Sequence, residues 1–576
     1  MVEPGAGVAG YSSVPDKSVS IIKGIPLAEE PGLGALTLSG FIREVTARFG
    51  PCEAIAQACA DGSIARWSYE ELWTRSRAIA RALIACGVDK GTRVGILMTN
   101  RAEFVSAIFG AALAGGVATP LSTFATPIEL DHLIASSACS VLLVEPRVLR
   151  KDLLAAIVER APELVNMSPG RIASARFPYL RHLVSLDCDS PVGAVEPWAH
   201  FLERGASISD AHVDARAANV TPSDPGALFF SSGTTGKPKG ILNAHRGVTI
   251  QLWRWRHIFG LHEGVRTWSA NGFFWSGPFS MVIGGTLSCG GCIVMQSTFD
   301  PAEALALMAA ERVQFPMGWP HQWAQLSAAS NWNDVDLSAL HFVSQGNPLA
   351  KHPTVSTDWQ EPTRTYGNTE TFTISSTYPS GSPPELIGDS WGFPLPGVTF
   401  KIVHPFTGEV TPMGERGEIA VKGPTLMLGY IGIPLDETLD DEGFFRTGDG
   451  GYVDDKGHLY WEGRLNDIIK TGGANVSPVE IDSVLIQCPG VKLTQTVGVP
   501  DDLLGELVVA CMVLHEGATL DEGAVRQFAK QQLASYKVPR RVLFFQERDM
   551  HTTGSAKVKT ADLRKLATER LEGSRV

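Results

Sequence analysis

An apolar run, Leu228-Phe229-Phe230, empties directly into Ser231-Ser232-Gly233-Thr234-Thr235-Gly236-Lys237-Pro238-Lys239-Gly240. A strand that opens into a Ser/Thr/Gly loop with two lysines is built to hold phosphate: glycines let the backbone approach an anion, hydroxyls and amides donate to it, and ammonium groups neutralise it. The spacing is not that of a Walker loop, which needs G-x-x-x-x-G-K-[ST]; here Gly236 follows Gly233 after three positions and Pro238 follows the first lysine. The apolar strand-like run in front argues against a flexible linker.

At 576 residues the chain exceeds one compact core and predicts two to four structural units. A net charge of −12 argues against a general nucleic-acid binder, because the phosphate backbone would be repelled. A polyanionic ligand then needs a local basic funnel, to which Lys237 and Lys239 contribute. Nine cysteines without regular spacing read as reduced and intracellular, and Cys289-Gly-Gly-Cys292 reads as small residues flanking a buried strand. Residues 1–35 are rich in Gly, Pro and Ser and predict a loosely ordered leader. Phe104–Ile128 and Thr267–Phe299 carry no charge, but proline, glycine and polar residues interrupt both, so buried α/β core is expected rather than a membrane span.

Helix and strand patterns alternate. Ser68 with Glu71 forms a capping-box signature, Leu72, Ile79 and Leu83 share a face, and Gly87 marks a stop; Val94–Met98 reads as a buried strand, Ala102–Ala114 as a helix, and Gly116–Leu121 as a further strand region. The alternation recurs around Ala302–Arg312 and Leu340–Ser344 and predicts mostly parallel, helix-covered sheets. Near residue 400 the pattern changes. Short strands at Lys401–Val403, Gly417–Val421 and His458–Trp461 predict a β-rich subdomain over about 395–463. After a boundary at Arg464–Asp467 comes a compact α+β unit with a helix from Ser477, a turn at Asp501-Asp502, a strand at Val508–Leu514 and a helix at Glu522–Leu533. The expected division is therefore 1–35, 36–465 and 466–576.

Further segments fall in an ordered series: Tyr366-Gly367-Asn368-Thr369-Glu370, Gly417-Glu418 with Gly423-Pro424 and Gly429-Tyr430, Phe445-Arg446-Thr447-Gly448-Asp449, Gly463-Arg464-Leu465-Asn466-Asp467, Lys470-Thr471-Gly472-Gly473, Tyr536-Lys537-Val538-Pro539 and Gly554–Lys557. Together with the phosphate loop, this series over roughly residues 40 to 570 resembles the adenylate-forming superfamily of acyl-CoA synthetases and related ligases. The resemblance implies an α/β fold with a large N-terminal domain and a small mobile C-terminal domain. It implies ATP-dependent conversion of a carboxylic acid into an acyl-adenylate and then a coenzyme A thioester, with Mg²⁺ as cofactor. Transfer to a carrier-protein thiol or an amine stays open as the second step, and a non-catalytic adenylate-binding protein is the remote alternative. Cysteine usage and net charge lead to the expectation of a cytoplasmic protein without nucleic-acid partners, and homodimers are common among relatives of the family it resembles.

Attack of a carboxylate on the α-phosphate requires neutralisation of developing negative charge. By the resemblance, Ser231, Ser232, Gly233, Thr234, Thr235, Gly236, Lys237 and Lys239 hold the β- and γ-phosphates, Glu370 and Thr234 hold Mg²⁺, and Lys557 bridges the carboxylate and the α-phosphate. Tyr366 is expected to stack on adenine, Asp449 to accept from both ribose hydroxyls, and Arg464 to add a ribose or phosphate contact. Gly346, Asn347, Gly367 and Thr369 complete the nucleotide set. Asn466 occupies the hinge about which the C-terminal domain turns, Lys470 supports the thioester step, and Gly472 and Gly473 leave a passage for the pantetheine arm of coenzyme A. Trp275 and Phe279 are expected to line an apolar acid pocket, with no acidic residue nearby to hold a substrate ammonium; this favours a fatty, cyclic or aryl acid. Gln345 stands where glycine commonly lets substrate pass. Two departures from the family pattern stand out: Ala556 where glycine precedes the lysine, and Asn466 at the pivot.

Overall fold

The computed structural model describes residues 18–188, 190–231, 238–362, 364–465, 467, 469–471, 474–501, 504–533, 537–550 and 560–573. Two helix-covered sheets form the bulk of the N-terminal portion. The larger has eight strands in the order Val195–Pro197, His182–Ser185, Val141–Val144, Arg93–Leu97, Val117–Pro120, Pro225–Phe230, Gly240–Ala244 and Gly429–Tyr430. The first six run parallel and the last two join antiparallel. The second sheet runs Phe315–Met317, Arg266–Ser269, Cys292–Met295, Glu53–Ala58 and Ile64–Ser68, parallel except for its final pair.

Local chemistry explains these elements. Helix Tyr69–Ala85 starts where the Glu71 N–H donates to Ser68 Oγ at 3.1 Å, and buries Leu72, Ile79 and Leu83. Helix Ala102–Leu113 is buried at every position but Glu103 in its first turn, which accounts for the absence of charge over the rest of its length. The apolar stretch after Thr267 becomes a strand, a short helix, a six-residue π-helix at Phe279–Gly284 and the buried strand Cys292–Met295. Among the described residues no helix is long and apolar enough to cross a membrane. All nine cysteines are free thiols.

The β-rich unit is an antiparallel five-stranded sheet in which Thr399–Val403, Gly417–Lys422, Phe445–Val453 and Leu459–Arg464 follow Ile21–Lys23. That first strand corrects the leader expectation. Ile21, Ile22 and Lys23 pair with Lys401, Phe400 and Thr399, and Ile22 is buried, so the fold begins well before residue 36. A long-range edge pairing of three residues leaves no periodic signature in a Gly/Pro/Ser-rich segment. A second difference lies at Leu340–Ser344, where no strand forms. The N–H groups of His341 and Phe342 share the carbonyl of Gln314, at 3.0 and 2.9 Å, and the chain turns away before a ladder extends.

The C-terminal part forms a five-stranded sheet from Ala474–Val476, Ile469–Thr471, Gly505–Leu514, Val491–Asp501 and Arg541–Phe544, with helices Pro478–Leu485, Glu522–Lys530 and Thr560–Gly573. Ser477 caps its first helix. The turn after Asp501 includes Asp502, which lies outside the described residues.

Candidate active site

The phosphate loop joins two antiparallel strands of the large sheet, Pro225–Phe230 and Gly240–Ala244. Two hydrogen bonds close its base: Ser231 N–H donates to Lys239 O at 3.0 Å, and Lys239 N–H donates to Ser231 Oγ at 3.1 Å. His132 Nε2 sits 2.9 Å from the Pro238 carbonyl and ties the loop to helix Pro127–Ser137. Ser232, Gly233, Thr234, Thr235, Gly236 and Lys237 lie outside the described residues.

Glu370 stands in the short helix Thr369–Thr371, which Asn368 caps from within the Tyr366–Glu370 motif. The motif needs glycine at 367: a Cβ there would lie 2.1 Å from the Thr373 carbonyl oxygen. Tyr430 donates its hydroxyl to Glu370 Oε1 at 2.7 Å, and its ring lies 5.0 Å from the Lys239 ammonium. The structure thus brings Lys239 and Glu370 to one residue. Tyr430 belongs to the Gly429-Tyr430 motif, whose spacing alone gives it no role; its contacts to both groups do.

Asp449 is buried on strand Phe445–Val453. Gly448, with φ of +72°, turns the chain ahead of it and donates its N–H to Glu418 Oε1 at 2.9 Å. The carboxylate takes the Tyr366 hydroxyl at 2.9 Å and pairs with Arg464 Nε at 3.0 Å from the neighbouring strand, where Arg464 is its register partner. Arg464 also donates to the Thr447 carbonyl at 2.7 Å. Burial pushes the Asp449 carboxyl up, while the Arg464 charge and the Tyr366 hydroxyl oppose that rise. Tyr366 is held well above the usual phenol range, chiefly by burial, and so remains a donor. It is only 4% exposed and packs against Phe400 and Trp461, so little of the ring face expected to meet adenine is open.

The aromatic segment reaches the Glu370 turn through Phe279. Asn100 holds it: its Nδ2 donates to Asn271 O at 2.8 Å and its Oδ1 accepts from Phe273 N–H at 2.9 Å. Phe279 is fully buried between Phe229, which leads into the phosphate loop, and Phe372, two residues after Glu370, with centroids 5.3 and 6.2 Å away. Phe279 therefore acts as core that joins the loop strand to the Glu370 turn. Trp275 is half-buried and contacts Phe274, which meets the exposed ring of Phe124 edge-on at 5.3 Å.

Gln345 and Gly346 are exposed, and the Gln345 amide donates to the Thr357 carbonyl, which turns that side chain along the surface. Asn347 caps the short helix Pro348–Lys351. Lys470 is exposed on strand Ile469–Thr471, its N–H donating to Glu506 Oε2 at 2.7 Å. Asn466, Gly472, Gly473, Ala556 and Lys557 lie outside the described residues.

The chain is similar to known proteins over most of its length. Residues 44–431 match the model of the AMP-binding enzyme family, and residues 480–557 match the AMP-binding enzyme C-terminal domain. A feruloyl-CoA synthase of an Amycolatopsis species is 30% identical over 86% of this chain and 93% of its own length. A methyl-dioxo-octahydroindenyl propanoyl:CoA ligase of Mycobacterium tuberculosis is 31% identical over 87% and 94%. The crystal structure of ATP-bound MatB from Rhodopseudomonas palustris superposes with a TM-score of 0.72 at 26% identity, covering 92% of this chain and 99% of that one. With the loop base, the Glu370 turn and the ion pair of buried Asp449 with Arg464 in place, the chain belongs to the AMP-binding enzyme family.

Proposed function

We propose that this protein is an AMP-forming acid–CoA ligase that activates a bulky aryl or cyclic carboxylic acid. The observation that carries the proposal is the convergence of Lys239 and Glu370 on Tyr430, with Phe279 of an aromatic segment free of acidic groups packed on Phe372, two residues after Glu370. The names of the two curated relatives, a feruloyl-CoA synthase and a ligase for a fused-ring propanoate, support the bulky-acid class over a linear fatty acid. The half-buried Trp275 supplies an aromatic wall for such an acid.

In this reading the loop at 231–239 grips the β- and γ-phosphates, so Lys237 and Lys239 act on the leaving pyrophosphate. Asp449 accepts from the ribose hydroxyls and Arg464 steadies that carboxylate. Lys557 neutralises charge between the attacking carboxylate and the α-phosphate. Glu370 offers a hard oxygen suited to Mg²⁺, with Thr234 as the second protein ligand; the ion supplies charge neutralisation at the phosphates. Turning of the C-terminal domain about Asn466 then presents Lys470 and the Gly472-Gly473 passage to coenzyme A.

The test is a panel of aryl, fused-ring and linear fatty acids, with coenzyme A, a carrier protein and simple amines as acceptors and AMP release as readout. The proposal expects the highest kcat/KM for a bulky acid with coenzyme A. Preference for a linear acid refutes the acid class, and turnover only with an amine or carrier protein refutes the acceptor. Lys557→Ala is expected to abolish adenylation, whereas Lys470→Ala leaves it intact and slows thioester formation.

A further inference from the structure

The short strand Gly429–Tyr430 is bonded on two sides. Toward the phosphate loop it pairs with Leu242 and Ile241, with Leu428 N–H donating to Leu242 O at 2.7 Å and Ile431 N–H donating to Gly240 O at 2.8 Å. Toward the acidic motif, Met427 N–H donates to the Glu370 carbonyl at 2.7 Å and the Tyr430 hydroxyl donates to Glu370 Oε1 at 2.7 Å. The same Tyr430 ring lies 5.0 Å from the Lys239 ammonium.

From this juxtaposition we infer that Tyr430 is a positioning residue that presents Glu370 and Lys239 to Mg²⁺ and ATP as one preformed pair. Its hydroxyl fixes one oxygen of the carboxylate, and among the described residues no hydrogen bond is made to the other, Oε2. Its ring steadies the ammonium by attraction to the π-face. A carboxylate and a lysine left free to rotate must be ordered each time the ligand binds, so holding them beforehand favours binding. The hydroxyl and the ring act on different partners, which makes the two effects separable. The inference rests on the proposed ATP and Mg²⁺ roles of Glu370 and the loop.

The experiment is calorimetric binding of ATP to the full chain, with and without Mg²⁺, for the parent protein, Y430F, E370A, the double variant and Y430L. Y430F is expected to reduce the Mg²⁺-dependent gain in ATP affinity about five- to tenfold, and to leave metal-free ATP binding within about twofold because the ring stays beneath Lys239. In the E370A background Y430F is expected to add nothing. Y430L, which also removes the ring, should weaken metal-free binding about threefold. An unchanged Mg²⁺ gain in Y430F overturns the inference, as does an equal loss with and without Glu370. Thermal unfolding of Y430F close to that of the parent separates these outcomes from misfolding. The readout needs no acid, so a protein that adenylates none of the acids tested refutes the proposed function while the role of Tyr430 is still decided by ATP binding.

Discussion

Replacing Asp449 by asparagine isolates the proposed ribose contact. The carboxylate is buried, takes the Tyr366 hydroxyl on Oδ2 and faces Arg464 Nε at 3.0 Å on Oδ1. Asparagine keeps the shape and one acceptor but loses the charge, so both ribose hydrogen bonds are weakened or lost. A hydrogen bond to a charged group contributes about 1.5–3 kcal/mol, and two of them, partly retained by the amide, leave a loss near 3 kcal/mol, or about a hundredfold in ATP affinity. The fold itself should change little. The Arg464 side chain is 53% exposed and regains water when its partner is neutralised, while the cost of burying the Asp449 charge disappears. Calorimetric binding of ATP and 2′-deoxy-ATP checks the origin of the effect. The parent protein should bind the deoxy-nucleotide about tenfold more weakly than ATP, and D449N should distinguish them by no more than about threefold. Because burial raises the Asp449 carboxyl while ribose binding needs the ionised form, ATP affinity of the parent should fall as pH is lowered through that raised value, whereas D449N stays flat. A D449N protein that discriminates the two nucleotides as strongly as its parent refutes the assignment.

Three further outcomes are expected. Asp482, which accepts from Thr494 Oγ1 and from Thr496 N–H and Oγ1, is pushed up to about 6 by burial. Its folded-state carboxyl holds a proton that the unfolded chain releases near pH 4, so stability drops as pH rises through that window and the cost persists above pH about 6. D482N should therefore stabilise the C-terminal sheet at pH 7 by at most about 3 kcal/mol, with the gain vanishing below about pH 4; hydrogen exchange of strand Val491–Asp501 reads it. F279A removes the ring between Phe229 and Phe372 and should cost about 3–5 kcal/mol in denaturant unfolding, with F279L much milder. W275A should raise KM for aryl acids about tenfold and leave KM for ATP unchanged, as read by adenylation kinetics; an equal rise in both removes Trp275 from the acid pocket.

Local signals in the sequence carried much of the architecture, because caps, stops and buried runs act within a few residues. Ser68 with Glu71, the apolar helix at Ala102–Leu113 and the Ser477 start all appear where their chemistry requires them. Features set by distant contacts were not legible. Ile21–Lys23 becomes a strand only because Thr399–Lys401 offers it an edge, and Leu340–Ser344 stops short of one because Gln314 captures its amides. At the candidate site, motif spacing singled out Glu370, Asp449 and Arg464, of which the structure pairs the last two. The bond from Tyr430 to Glu370 spans 60 residues, so no local pattern signals it. The same holds for Phe279, whose burial between Phe229 and Phe372 no local pattern distinguishes from a pocket wall.

The most direct test of the account is acid-dependent exchange of labelled pyrophosphate into ATP, measured on the full chain without coenzyme A. Exchange is expected to require a bulky carboxylic acid and Mg²⁺, to persist in Lys470→Ala and to disappear in Lys557→Ala. Absence of exchange with every acid in the presence of Mg²⁺, in a protein shown to bind ATP, would contradict the assignment of this chain as an acid-adenylating enzyme.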